Sequence, residues 1–205
     1  MKLILASNSK WRKEILDMAN LEYTAISSDV DESTVEYTNP RDYVEKLSRL
    51  KAENVASKVE EGIIIASDTI GYMNDEKFEK PKNREEAFNN MKKLSGNINY
   101  TATGVTLIDL YKQKTVSFVD ITEIYLKEMS DDEITWYIDN ESSIYDCSGY
   151  AIDTCASLFV EKINGDYKSI IGLPIQRIYE ELKKLGYSIK DLECKKREGT
   201  VYENL

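Results

Sequence analysis

Ile63-Ile64-Ile65-Ala66-Ser67-Asp68-Thr69 carries four apolar residues, three of them β-branched, directly into a polar triplet. An uninterrupted apolar run of this length reads as a strand covered on both faces. It predicts that Ser67, Asp68 and Thr69 stand at the strand's C-terminal end, where open α/β sheets carry their ligands. Asp68 is the informative residue of the three. A carboxylate that directly follows buried residues is costly to place there unless a cation pairs with it.

Upstream, residues 2–6 read as a short buried strand, and Trp11, Ile15 and Met18 then recur at helical spacing behind a polar Ser7-Asn8-Ser9 connection. A second strand near 22–26 and an acidic loop, Ser28 to Glu32, precede Asn39-Pro40. That pair reads as the N-cap and first residue of a helix with the apolar stripe Tyr43, Leu47 and Leu50. Downstream, Asn83 to Ser95 reads as a helix with Asn83 and Glu86 in capping-box spacing, and Ser130 with Glu133 repeats the signal. Residues 98–111 and 116–127 alternate as two long strands, and 157–163 reads as another. Gly165-Asp166 marks a turn, and Pro174 to Leu185 a last amphipathic helix stopped by Gly186. Strands and helices interleave without a Gly/Pro/Ser-rich linker. The expectation is one α/β domain with a mixed sheet over residues 1–190 and a peripheral charged tail over 191–205.

Composition narrows the chemistry. Among 205 residues, 27 lysines and arginines face 37 aspartates and glutamates, a net charge of −10. A nucleic-acid platform carries the opposite excess, so no nucleic-acid partner is expected. The chain has no histidine, which removes Ser-His-Asp triads, Cys-His dyads and helix-borne HExxH zinc sites. Acid–base work falls to carboxylates, lysine or tyrosine. Cys147, Cys155 and Cys194 form no C-x-x-C pair, which argues against a disulfide framework or zinc site and fits a reducing cytoplasm. The apolar run Lys2 to Ala6 is too short for a signal-peptide core or a membrane span. Neither a G-x-x-x-x-G-K-[ST] loop nor a G-x-G-x-x-G turn occurs, which disfavours P-loop nucleotidases and Rossmann dehydrogenases.

What remains is a set of polar residues near predicted strand ends: Ser7, Ser9, Arg12, Lys51, Asp68, Lys80, Asp146 and Asp153. Most have a plain alternative. A serine before a helix is commonly a cap, Arg12 and Lys51 lie on helices rich in charge, and Lys80-Pro81 marks a turn.

Seven segments occur in order: Leu5-Ala6-Ser7-x-Ser9-x-Trp11-Arg12, Lys46-Leu47-Ser48-x-x-Lys51-Ala52, Ala66-Ser67-Asp68-Thr69, Lys80-Pro81, Lys93-Leu94-Ser95-Gly96, Gly149-Tyr150-Ala151-Ile152 and Ile171-Gly172-Leu173-Pro174. Together they resemble the Maf-like family from about residue 2 to residue 185. The resemblance implies an elongated mixed sheet flanked by helices, with a central cleft, related in fold to the inosine-triphosphate-type house-cleaning enzymes. It implies hydrolysis of a nucleoside triphosphate to a monophosphate and pyrophosphate. By the same resemblance Asp68 is the catalytic proton acceptor, and Ser7, Arg12, Lys51 and Lys80 bind the substrate. The resemblance further implies a divalent cation, Mg²⁺ or Mn²⁺, held by Glu32 and Asp68, and a homodimer as in many members of the family. For the loop carrying Asp29, Asp31 and Glu32, an ordinary solvated loop is the equal alternative. A second reading of the whole chain is a nucleotide-binding regulator of septum formation and cell division with little turnover.

Three positions bear on the nucleobase. Trp11 resembles the family branch that hydrolyses 7-methyl-GTP, whereas Thr69 resembles the dTTP/UTP branch, and Asp153 stands where a glutamine is usual. An indole stacked on a cationic 7-methylguanine gains up to ~2 kcal/mol, and Asp153 could accept from that ring's N–H groups; the alternative for Trp11 is core packing with Ile15 and Met18. Cys147 occupies the place of a usual lysine, and Lys10 that of a usual proline.

Overall fold

The computed structural model describes residues 1–147 and 149–195. Its strands are β1 (Leu3–Leu5), β2 (Thr24–Ala25), β3 (Ile63–Met73), β4 (Glu76–Lys77), β5 (Ile98–Asp109), β6 (Lys114–Leu126) and β7 (Val160–Asn164). They form one mixed sheet in the order β2-β1-β3-β5-β6-β7, with β4 paired to β3. The helices are α1 (Lys10–Met18), α2 (Pro40–Ala56), α3 (Arg84–Leu94), α4 (Asp131–Asn140), α5 (Tyr167–Ile171) and α6 (Ile175–Lys184).

β3 is longer than its apolar run predicts, and the extra length shapes the site. β1 pairs with it in parallel only over Ile63 to Ile65, while β5 runs antiparallel beside it from Ile63 to Tyr72. β4 returns to the free edge at Tyr72 and Met73 through a turn at Asn74 and Asp75, both left-handed with φ 52° and 62°, as a type I′ hairpin requires. Among the described residues, 67–70 therefore have a ladder partner on the β5 side alone. Asp68 stands just past the end of β1 but in mid-strand. The strand does not stop at the polar triplet because β5 satisfies its backbone through it.

Side chains alternate across β3. Ile63 and Ile65 join α1 and α6 in one core, while Ile64 and Ala66 pack on Ala52 and Val55 of α2. Gly104 is the residue of β5 opposite Asp68. A Cβ on it would lie 2.2 Å from the Val44 carbonyl oxygen, so only glycine lets the α2 backbone settle this closely on the sheet. The Ser48 and Thr106 hydroxyls meet at 3.0 Å beside it. α2 thus buries Val44, Leu47, Ser48 and Lys51, a face shifted from the predicted Tyr43, Leu47 and Leu50 stripe. Lys51, seven residues after Val44, lies on the same face two turns on.

A second core joins Ala87, Met91 and Leu94 of α3 to Ile134, Tyr137 and Ile138 of α4 and to Leu126 of β6. Asn83 accepts from the Glu86 N–H, and Ser130 with Glu133 forms a complete capping box, as their spacing predicts. α1 buries Ile15 of the expected stripe together with Leu16, and leaves Met18 exposed. α5 was not anticipated, and the strand predicted over 157–163 begins as a 3-10 turn over Cys155–Leu158 before β7. Residues 191–195 are not peripheral as expected. Leu192 packs in the first core, Cys194 bridges to Leu21, and Lys195 pairs with Asp17. The rest of the predicted tail, 196–205, lies outside the described residues. No helix among the described residues is long and apolar enough to cross a membrane.

Candidate functional site

The cation that the buried Asp68 requires is Lys51. Its Nζ donates to Asp68 Oδ1 at 2.6 Å and lies 2.8 Å from Glu32 Oε1. Both Lys51 and Asp68 are buried, while the Glu32 side chain is 53% exposed. The acidic loop is therefore not simply a solvated one, because Glu32 shares the ammonium with Asp68.

The opposite face of β3 fixes the arginine. The Gly172 carbonyl, just after α5, accepts from Arg12 Nε at 3.1 Å and from Ser67 Oγ at 2.8 Å. Gly172 has φ +113°, and a Cβ there would come within 3.2 Å of Arg12 Nε and 3.3 Å of Thr69 Oγ1. Arg12 Nη1 donates to Ser7 Oγ at 3.2 Å, and the same oxygen accepts from the Ser9 N–H at 3.1 Å. Burial pulls the guanidinium's pKa below its ordinary value, and the charges of Asp68 and Glu32 pull it back. Thr69 Oγ1 meets Thr103 Oγ1 at 2.9 Å, and Thr103 donates to the Ser169 carbonyl at 2.7 Å. Ser9, the N-cap of α1, makes no side-chain capping bond, which leaves the helix's first N–H groups without that partner.

These groups face a cleft of about 990 Å³. Trp11, Arg12, Glu32, Lys51, Asp68, Thr69 and Lys80 all line it. Ser7 sits behind Arg12 rather than on the lining, where Ser9 is found instead. Asp153 is exposed and outside the lining, whereas Asp146 and Cys147 are part of it. The turn holding Asp153 buries its neighbours Ile152 and Ala156 and leaves the polar residue between them to solvent. Trp11 is half-buried at the cleft rather than in the core, and Lys10 Nζ lies 4.8 Å from its ring centroid. Burial raises the Cys147 thiol to about 12, with Asp146 and Glu141 adding to it and Lys80 opposing. At neutral pH Cys147 is a neutral thiol, neither a thiolate nucleophile nor a substitute for a lysine's charge.

Sequence reasoning missed Tyr43, Lys77, Lys82, Asn99, Thr101 and Tyr150, all on the lining. The signal for two of them was available: Lys77, Lys80 and Lys82 crowd one short stretch. Asn99 carried no signal, since its bonds to Tyr150 Oη (3.2 Å) and the Ile124 carbonyl (3.2 Å) are long-range.

A mixed sheet with a lysine shared by two carboxylates, placed where one strand edge is left open to a cleft, defines an α/β protein organised around a charged pocket. The chain belongs to the Maf-like family, whose sequence profile, described as Maf-like protein, matches residues 2–185. A dTTP/UTP pyrophosphatase of Carboxydothermus hydrogenoformans is 40% identical over 187 residues, covering 91% of this chain and 100% of the relative. One from Alkaliphilus metalliredigens is 41% identical over 184 residues, covering 89% and 95%. Among solved structures, a HAM1 protein from Coxiella burnetii superposes with a TM-score of 0.51 at 14% identity, covering 90% of this chain and 99% of that one. This last likeness concerns the fold alone.

Proposed function

We propose that the protein hydrolyses a pyrimidine nucleoside triphosphate, dTTP or UTP, to its monophosphate and pyrophosphate, with Asp68 as the proton acceptor. The observation that carries this reading is the Glu32–Lys51–Asp68 cluster at the open edge of β3. The relatives' names supply the reaction class and weigh against a regulator with little turnover.

Attack on an α-phosphorus needs an oriented water, a proton acceptor and cancellation of phosphate charge. Asp68 serves as the acceptor, since a chain without histidine has carboxylates for this task. Two of the three Lys51 ammonium hydrogens are taken by Asp68 and Glu32, which leaves the third for a phosphate oxygen. Arg12 is locked by Gly172 and Ser7 and keeps its remaining guanidinium donors for the triphosphate. Lys80, on the cleft lining, adds a further positive charge. The uncapped start of α1 offers backbone N–H groups to an anion, so we assign Ser7 to orienting Arg12 and Ser9 to the substrate side.

The residues present fit a divalent cation, Mg²⁺ or Mn²⁺. Glu32 and Asp68 are hard oxygen donors already gathered around one positive charge. No cluster of three or more ligating side chains exists among the described residues, so substrate phosphates would complete the shell, the usual arrangement for Mg²⁺. When bound, the ion neutralises charge on the phosphate oxygens.

For the base, the 7-methyl-GTP reading stacks the ring on Trp11 and lets Asp153 serve its edge. Asp153 is exposed away from the lining, and Lys10 lies over the Trp11 ring. Thr69, on the lining, accords with the dTTP/UTP reading. Because the lining takes Leu94 and Tyr150 from the α3–α4 core and Ile171 from the edge of the α1–α6 core, we read the domain as one functional unit. A panel of dTTP, UTP, CTP, GTP and 7-methyl-GTP with Mg²⁺, assayed for pyrophosphate, tests the proposal. Release from dTTP and UTP well above the others is expected, and preference for 7-methyl-GTP would refute the assignment of the base.

A further inference from the structure

The two sides of the cleft mouth are fastened to each other by residues that the proposed chemistry does not use. On one side, the segment between Glu32 and α2 carries Tyr37. On the other, the β3–β4 hairpin carries Lys77, three residues before Lys80. The Tyr37 hydroxyl donates to the Asp75 carbonyl at the hairpin tip at 2.7 Å. The left-handed pair Asn74 and Asp75 fixes that carbonyl. Lys77 Nζ lies 4.7 Å from the ring centroid of Tyr43 and 5.5 Å from that of Tyr37. The two rings meet edge to face at 5.3 Å, and Nζ is 2.7 Å from Glu79 Oε1. Burial works against charge on Lys77, but the bond to Glu79 and that carboxylate's charge hold its pKa above the ordinary value. Lys77 lines the cleft, yet a carboxylate and two rings already engage its ammonium.

We propose that Tyr37, Tyr43 and Lys77 form a clasp that sets the spacing of Glu32 and Lys80 across the cleft mouth, making Tyr37 and Lys77 positioning residues for the hydrolysis. This rests on the reading of the cleft as the triphosphate site. Glu32 sits on a 3-10 turn, Glu32–Thr34, with no buried residue, so its hold on Lys51 depends on how its segment is anchored. Upstream, Asp29 is tied to Asn54 and Lys58; downstream, Tyr37 supplies the anchor, and the hairpin carries the same constraint to Lys80. A cation over two rings tolerates arginine in place of lysine, and the exchange of the nucleotide-free segments separates a clasp from a direct phosphate contact by Lys77, since losing a phosphate contact leaves that exchange unchanged.

The experiment compares Tyr37→Phe, Lys77→Met, their double variant and Lys77→Arg with the parent chain. Tyr37→Phe keeps the ring and deletes only the hydroxyl, so the fold is retained. Two readouts are taken: kcat/KM for pyrophosphate release from dTTP, and amide hydrogen exchange of residues 31–38 and 74–80 without nucleotide. Losing one such bond is expected to lower kcat/KM about three- to tenfold and to speed exchange by a similar factor, confined to those two segments. The double variant should fall no more than about twofold below the worse single, because both changes undo one unit. Lys77→Arg should stay within about twofold of the parent. Effects that multiply in the double variant, an arginine variant as impaired as Lys77→Met, or unchanged exchange over 31–38 would each overturn the clasp. A parent chain that releases no pyrophosphate would remove the hydrolysis reading, while the exchange measurement would still decide the clasp.

Discussion

Asp68 and Lys51 are both nearly out of water and 2.6 Å apart. Such a pair is worth little as a whole but is expensive to break, because removing one partner strands the other's charge. Lys51→Met should therefore cost about 3 kcal/mol of stability in urea denaturation. Asp68→Asn should cost far less, since an amide oxygen still accepts from the ammonium, and should leave nucleotide binding in place. A loss below about 1 kcal/mol for Lys51→Met would mean that water reaches the pair and that it is not the buried cluster described here. At this scale the sequence was partly legible. A carboxylate after Ile63-Ile-Ile-Ala66 demands a cation, but nothing in the spacing says that the cation is Lys51 or that Glu32 shares it. Asp153 is exposed and outside the cleft lining, and an aspartate near a recognisable motif looks the same in sequence whether its turn faces a cleft or solvent.

α2 reaches the site through a glycine. Gly104, opposite Asp68 in β5, gives the helix backbone its closest approach to the sheet, and Lys51 lies two turns along that helix. A methyl group at 2.2 Å from the Val44 carbonyl has no room, so Gly104→Ala must push α2 outward. Overpacking of this kind costs about 1–3 kcal/mol. It should lower the melting temperature and reduce hydrolysis together, whereas a melting temperature equal to the parent's would contradict the packing described. The elements with strong local signals were readable: Asn39-Pro40, Asn83 with Glu86, and Ser130 with Glu133 mark helix starts where the structure has them. α5 escaped because five residues are too few for a period, and the notch at 67–70 escaped because it is made by where β1 ends and β4 begins. No property of β3's own residues records that.

The whole molecule packs several apolar clusters on one long sheet, and the cleft takes Ile171, Leu94 and Ile70 from three of them. Several buried acids tie this packing to alkaline stability. Burial raises Cys147 from 9.0 to about 12. Burial and the nearby Asp17 carboxylate raise Tyr23 from 10.0 to about 12, and burial with the Asp109 bond does the same for Tyr187. Each group is held neutral by the fold, so its contribution is complete below its unfolded pKa and is lost as pH rises toward the folded one. The unfolding free energy should fall between about pH 9 and 12 and be flatter there in Tyr187→Phe; an identical slope in that variant would contradict the linkage. The central claim, that Asp68 activates a water against the α-phosphorus, is tested most directly by hydrolysing dTTP with Mg²⁺ in ¹⁸O-labelled water. The account predicts label in dTMP and none in pyrophosphate, with turnover about 10²–10⁴-fold lower in Asp68→Asn. Label in pyrophosphate or inorganic phosphate, or an Asp68→Asn variant as fast as the parent, would contradict it.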